Sequence, residues 1–406
     1  KIFMSKYIIS VLNSAISDFA RNKVRTTLTS LGIMIGVMSV VLIIAFGLGL
    51  KKSISDQFDS LGSNQLVVFP GQVLKDGKFQ GGSASFGSIR FDERDLQTIK
   101  RVEGMEKIAP LVGKSTQISF GGETLIGQLY MSSDDIFALR NLKLNLGELF
   151  TKEDVEKRQK VVVLGAKIVT EFFEDERDAI GKSIKVEGQT FKVIGSLKSY
   201  GSTGFGGPDF DTAVYLPYKA GYLFNPDKKF TNILLKGSTD INTKELIKNT
   251  DEALQRRYKE DDFDVVELGE IQRAISDIFG ILNLVLVGIA TISLLVGGIG
   301  IMNIMYVTVS ERTKEVGIRR ALGARSEDIL IQFLLEAVIL SAFGGLIGLA
   351  MSFGIVEIVK KSFPAYIDLN SVIIALGVSS IIGVAFGVFP ARKASQLSPI
   401  EAIRYE

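Results

Sequence analysis

Four long stretches with almost no charge constrain this chain more than anything else in it. Residues 26–50 contain no Asp, Glu, Lys or Arg, and 33 more uncharged residues lie between Asp277 and Glu311. A helix rises ~1.5 Å per residue and a hydrocarbon core is ~30 Å thick, so each stretch is long enough to cross a bilayer. Residues 329–356, interrupted only by Glu336, and residues 369–391 supply a third and a fourth span. A mean hydropathy of +0.27 and 41 glycines in 406 residues agree with a membrane protein rather than an ordinary soluble enzyme.

The second uncharged stretch would run about 50 Å as one helix and so outreaches the bilayer. Leu268, Ile271, Ile275, Ile278 and Leu282 form a helical stripe entering it, and Leu50, Ile54, Phe58 and Leu61 continue the first span beyond Lys51 and Lys52, with Gly62 placed to stop it. These two stripes predict a two-helix stalk. Pairs of glycines four apart, Gly32/Gly36 and Gly344/Gly348, with Gly383 and Gly387 in the fourth span, permit close helix contact in lipid.

Between the stalk segments, residues 63–267 change texture to short β-like runs, glycine turns and amphipathic helices. QLVVFPG, QKVVVLG, SIKVEG, TFKVIGSL, AVYLP and NILLKG read as strands, while Asp92 and Asn242 are positioned as helix N-caps. The fold class expected is therefore an α-helical membrane protein with four transmembrane helices and a large α+β extracytoplasmic domain inserted between helices 1 and 2. A division of that domain is expected in the 142–159 region. Loops are expected at 76–88 and 200–208.

Lys and Arg set the orientation. Five occur in residues 1–25, five in the island between spans two and three (Arg312, Lys314, Arg319, Arg320, Arg325) and three in the tail, against two (Lys360, Lys361) in the other short loop. The positive-inside rule places the island and both termini in the cytoplasm. Residues 1–25 carry Ile8, Leu12, Ile16 and Phe19 on one helical face, as an amphipathic helix on the inner membrane surface would.

The chain lacks His and Cys, which excludes Ser-His-Asp and Cys-His nucleophilic sites, thiolate or imidazole zinc sites and disulfides. The glycine-rich YGSTGFGGP has no following Lys-Ser/Thr, and GQVLKDGKF departs from a Walker A loop in spacing and in Phe79. No catalytic, cofactor-binding or metal residue is assigned, and a net charge of +2 gives no field for nucleic acid.

The island itself, ERTKEVGIRRALGARSEDI at 311–329, is patterned. Glu315 and Arg319 stand four apart in the favourable order, Ile318 and Leu322 form an apolar pair, Arg319 and Arg320 sit where a helix end favours cations, and Gly323 is a helix stop. Ser326 is the expected N-cap of the third span, ahead of Glu327 and Asp328. The expected product is a short helix, a sharp corner and a new membrane helix, able to transmit displacement. Glu336, one carboxylate at shallow depth without a second membrane acid or base, is expected to face the bundle interior and pair with an Arg or a backbone donor. SPIEAI in the tail reads as a capping box opening a short helix.

Residues 310–348, SERTKEVGIRRALGARSEDILIQFLLEAVILSAFGGLIG, and 389–406, FPARKASQLSPIEAIRYE, resemble the core of FtsX-like, MacB-type ABC transporter permeases. Residues 22–41 are similar to that family's entry into its first span. The resemblance implies a MacB-like periplasmic core over 63–267 and an FtsX-like permease domain over 268–406. It implies a second permease copy, as homodimer or heterodimer, a cytoplasmic ABC ATPase subunit on a separate chain that carries the ATP and Mg, a periplasmic adaptor or other extracytoplasmic partner, and contact with membrane lipid. No cofactor is expected on this chain.

By the same resemblance the segment from Glu311 through Arg312, Lys314, Glu315, Gly317, Ile318, Arg319, Arg320 and Leu322 to Gly323 corresponds to a coupling helix that seats on the ATPase. The expected organisation is an amphipathic helix (1–25), transmembrane helix 1 and stalk (26–62), outer domain (63–267), stalk and helix 2 (268–310), coupling segment (311–328), helices 3 and 4 (329–391) and tail (392–406). The implied role is that of a non-catalytic permease subunit in the bacterial inner membrane. It would transmit a partner's ATP cycle to the outer domain and export or extract an amphiphile such as a drug, peptide or lipid-linked molecule. The alternative is a signalling scaffold that controls a cell-wall hydrolase. An ion-driven carrier is disfavoured by the scarcity of intramembrane charge.

Overall fold

The structure, a computed structural model, describes residues 23–59, 65–75, 78–79, 90–201, 209–360 and 363–398. Most of the N-terminal amphipathic segment, Leu61, the stop at Gly62, most of the two expected loops and the tail beyond Ser398 lie outside these residues, as does the side chain of Phe58. The chain divides into two compact units, Lys51–Ile278, and Lys1–Leu50 with Phe279–Glu406.

The Lys51–Ile278 unit holds strands β1 (Gln65–Pro70), β2 (Leu74–Lys75), β3 (Lys78–Phe79), β4 (Met105–Phe120), β5 (Glu123–Ser132), β6 (Leu144–Gly147), β7 (Val161–Leu164), β8 (Ser183–Val186), β9 (Gln189–Leu197), β10 (Ala213–Pro217), β11 (Asn232–Gly237) and β12 (Phe263–Glu267). Apart from the small β2–β3 pair they join in the order β12-β1-β11-β4-β5-β10-β7-β9-β6, with β8 against β4 and β9. All six strands expected from sequence are present. The longest two, β4 and β5, were not among them. They form a hairpin closed by Gly121 and Gly122, both at positive φ (62° and 95°), with Phe120 opposite Glu123. Glycine adopts that pair of conformations with the least strain, and the Gly-Gly dipeptide was the available signal.

The division expected at 142–159 is not where the sheet changes partners. β4 pairs with β11 over its first half and with β5 from Val112 onward, so the seam runs across that one strand. Residues 142–159 instead contribute β6 and a short helix to the second half-sheet. A single hydrophobic core runs through both halves, from Leu66 and Phe230 to Phe150 and Phe191. A continuous strand and a shared core hold the halves together.

Two helices cover one part of the sheet. The first, Glu93–Ile99, is capped by Asp92 and the second, Thr243–Gln255, by Asn242. Arg257, just past the second, donates to Asp92 at 2.7 and 2.8 Å and to buried Asp95 at 2.8 Å, and the Tyr258 hydroxyl donates to Asp95 at 2.9 Å. The guanidinium holds Asp92 well below the usual carboxylate range.

The other unit is helical. The membrane-crossing helices are α1 (Lys23–Asp59), whose span is Ser30–Ser55, α2 (Leu268–Glu311), α4 (Ser326–Val359) and α5 (Leu369–Ser395), with the short α3 (Thr313–Ala321) between the second and third. All four long helices are long and apolar enough to span a membrane. The third and fourth run past the expected boundaries, and Pro390 is accommodated inside α5.

The glycine pairs are points of closest approach. A Cβ added to Gly32 would lie 2.9 Å from the Gly297 Cα, one on Gly348 would lie 2.6 Å from the Met34 carbonyl oxygen, and one on Gly383 would lie 3.0 Å from the Ala337 carbonyl oxygen. Without a hydrophobic force between helices in lipid, such backbone contact and interhelical hydrogen bonds supply the attraction. The Ser379 hydroxyl, fully buried, donates to the Ser341 carbonyl at 2.7 Å.

Along the expected stalk, Leu50 and Ile271 are buried and Ile54 and Ile275 half-buried, and Gln272 Nε2 donates to Ser55 Oγ at 3.0 Å. Ile278 and Leu282 are instead exposed, so the buried face of α2 turns from them toward Ile271 and Ala274. Because the chain has no native cysteine, a Ser55→Cys/Gln272→Cys pair is expected to form an intramolecular disulfide under mild oxidation, read as a gel shift that reductant reverses. No shift at this pair would mean the two helices do not lie side by side there.

Candidate coupling site at the corner between the second and third spans

The corner is built from three local devices. α2 ends at Glu311, and Arg312 leaves helical geometry at φ −102°, ψ 14° before α3 begins. α3 then closes on a Schellman motif: Gly323 N–H donates to the Arg320 carbonyl and Ala324 N–H to the Arg319 carbonyl, both at 3.1 Å. Gly323 takes φ +99°, which a side chain would strain. α4 begins three residues later, at Ser326.

The cap of α4 differs from expectation. Arg325 is the N-cap residue, and its backbone N–H is held by the Asp328 carboxylate at 2.9 Å. Ser326 is already helical and sends its hydroxyl to the Ser395 carbonyl at the end of α5. A carboxylate reaching back from the first turn satisfies the cap without a serine, which frees Ser326 to tie two spans together.

On the inner face, five side chains form a closed ring. Arg312 meets Glu336 (Nη1 to Oε1 and Oε2, 3.0 and 3.1 Å) and Glu315 (Nε to Oε2 2.7 Å, Nη2 to Oε1 3.0 Å). Glu315 also receives Arg319 at 2.6 Å, Arg319 donates to Gln332 Oε1 at 2.5 Å, and Gln332 donates to Glu336 at 3.3 Å. Arginine suits the central place because its planar fork serves two carboxylates at once. Burial opposes the Arg312 cation, but the hydrogen bonds and charges of Glu315 and Glu336 outweigh it and raise its pKa; Glu315, bonded by Arg312, is held below the usual range.

The structure therefore separates the candidate residues by face. Arg312, Glu315 and Arg319 are half-buried in the ring, Gly317 is buried with Thr313 and Val316, and Glu336 is buried in α4. Arg320 turns back toward the Ala324 carbonyl. The outer face presents Glu311, Lys314, Ile318, Leu322 and Gly323, with Ile318 48% and Leu322 83% exposed. Sequence reasoning missed Gln332, although its spacing of four from Glu336 places both on one face of α4. It also missed Thr313, whose hydroxyl bonds the Val309 and Ser310 carbonyls across the break.

Comparison with known proteins covers both parts of the chain. The family model for the MacB-like periplasmic core domain matches residues 26–252, and that for the FtsX-like permease C-terminal region matches residues 287–399. The macrolide export ATP-binding/permease protein MacB of Bdellovibrio bacteriovorus is 36% identical over 414 residues, covering 98% of this chain and 62% of that protein. The MacB of Wolinella succinogenes is 35% identical over 405 residues, covering 98% of this chain and 61% of its own length. The chain thus spans about three-fifths of these relatives. A solved periplasmic region of MacB from Actinobacillus actinomycetemcomitans aligns to 55% of this chain and 97% of its own at 23% identity, with a TM-score of 0.45. With four membrane-length helices and a large α/β domain between the first two, the chain belongs to the MacB-like, FtsX-like family of ABC transporter permeases.

Proposed function

We propose that this permease transmits the ATP cycle of an ABC ATPase to its outer domain, in the service of exporting or extracting an amphiphile such as a drug, peptide or lipid-linked molecule. The observation that carries the reading is the corner: an exposed apolar tip, Ile318 and Leu322 beside Lys314, mounted on a helix whose inner face is braced by the ring. An apolar tip with a cation beside it is costly to leave in water and suits a protein groove with an acidic rim. The occupant is the ATPase because the relatives that match nearly the whole chain are named as ATP-binding/permease proteins.

In this reading the corner faces the cytoplasm, where Lys and Arg are concentrated, and the region matched as a periplasmic core faces outward. The ATPase carries ATP and Mg. This chain's contribution is mechanical: α1 and α2 are continuous helices that run past the expected membrane boundaries, and α2 begins at Leu268, directly after β12 ends at Glu267. Motion of α2 would be delivered to β12 without an intervening loop.

The docking reading is tested by Leu322→Glu. Placing a charge on the exposed tip should weaken binding of the cognate ATPase to nanodisc-held permease by at least about tenfold, which is ~1.4 kcal/mol, with no change in permease thermal stability. Native affinity in that variant would remove α3 as the docking element.

A further inference from the structure

The ring raises the question of where force applied to α3 goes. α3 has two covalent neighbours, α2 through Arg312 and α4 through the Gly323 turn. Toward α2, the Thr313 hydroxyl bonds the Val309 and Ser310 carbonyls, and the Arg312 N–H bonds the Thr308 carbonyl at 3.0 Å. Toward α4, Arg312 and Arg319 cross to Glu336 and Gln332, and both arginines are clamped at the near end by Glu315. These are charge-assisted bonds, and Glu336 and Gln332 are buried, so water competes for them poorly.

From α4 the contacts lead on to α1. A Cβ on Gly344 would lie 3.0 Å from the Ser30 carbonyl oxygen and one on Gly348 2.6 Å from that of Met34; the Ser352 hydroxyl lies 3.5 Å from the Met38 carbonyl. Three contacts at i, i+4 and i+8 on α4 follow one face of α1. Backbone this close cannot slide without the partner shifting, because packed interiors yield in discrete steps.

We infer that Glu336 and Arg312 are positioning residues that lock the docking helix to the third span, so that displacement of α3 is carried into α4 and through it to α1. The inference rests on the docking reading above. Glu336 is then neither an ion site nor a passive fold element. Its carboxylate fixes the Arg312 guanidinium, and Gln332 closes the second arm of the same lever through Arg319.

The experiment uses the full chain in lipid nanodiscs with its cognate ATPase and MgATP, and measures two quantities separately: affinity for the ATPase, and stimulation of ATP hydrolysis by the permease. Two variants are compared, Glu336→Gln, and the double replacement Arg312→Met/Glu336→Met, which removes both charges together. Both should bind the ATPase within about twofold of the native chain, while stimulation falls by about tenfold, the size of an ordinary coupling free energy between sites.

A role in stability alone gives a different pattern: the double variant, with no buried charge left unmatched, would stimulate like the native chain. That result would overturn the inference, as would loss of affinity in step with loss of stimulation, which would make the ring a shaper of the docking face. If Leu322→Glu binds normally, the docking reading fails; if Leu322→Glu loses binding while both ring variants stimulate normally, only the lever fails.

Discussion

Arg312→Ala is expected to cost about 3–5 kcal/mol of stability, the largest loss of any single change at the corner. The Arg312 side chain is 16% exposed and that of Glu336 7%, so the variant removes the guanidinium from a carboxylate that water barely reaches. Exposed ion pairs behave differently. Lys157 with Glu153, both more than half exposed, contributes no more than about 1 kcal/mol, because solvent screens both charges. The Arg312 guanidinium also lies 5.5 Å over the Phe333 ring, a contact that alanine cannot replace. Thermal unfolding of the purified chain in detergent measures the effect. A shift no larger than that of a surface variant such as Lys157→Ala would show that Glu336 is satisfied without Arg312.

Gly297→Leu is the second large effect expected. A Cβ at Gly297 would lie 2.8 Å from the Gly32 carbonyl carbon and 3.0 Å from its oxygen, so α1 and α2 would have to separate where their backbones meet. Overpacking of this kind costs about 1–3 kcal/mol in a well-packed core, and in lipid it also removes the close contact that holds the helices together. Gly288, on the same helix, has nothing within 4 Å of an added Cβ and supplies the control. Gly288→Leu should unfold at the native temperature while Gly297→Leu unfolds well below it. Equal behaviour of the two would mean the α1–α2 contact is not made through Gly297.

Much of the architecture was legible because bilayer crossing is a one-dimensional problem. Uncharged runs of the right length gave four helices, and an alternating or β-branched texture gave six strands. β4 and β5 escaped because Pro110, Gly113 and a scatter of Lys, Ser and Thr break up the pattern that marks a half-buried strand. The seam within β4 escaped for a different reason: which strand a long strand pairs with is a tertiary fact.

At the corner, the helix and its glycine stop followed from local chemistry. The ring did not, because it requires knowing which face of α3 meets which face of α4. Arg312, Glu315 and Arg319 at spacings of three and four, and Gln332 and Glu336 at four, are complementary rows. Only the turn at Gly323 brings them together. The same turn explains why residues grouped by sequence as one docking element split between a braced inner face and an exposed tip.

The Ile318–Leu322 tip is proposed to seat on the ATPase. A photo-crosslinking residue placed at Leu322 in the full complex tests it most directly, with a second at Ile373, an exposed position near the start of the fourth span. The expected result is an adduct between position 322 and the ATPase whose yield changes when MgATP is added, with none from position 373. An ATPase adduct from position 373 and none from position 322 would contradict the assignment of the corner as the docking element.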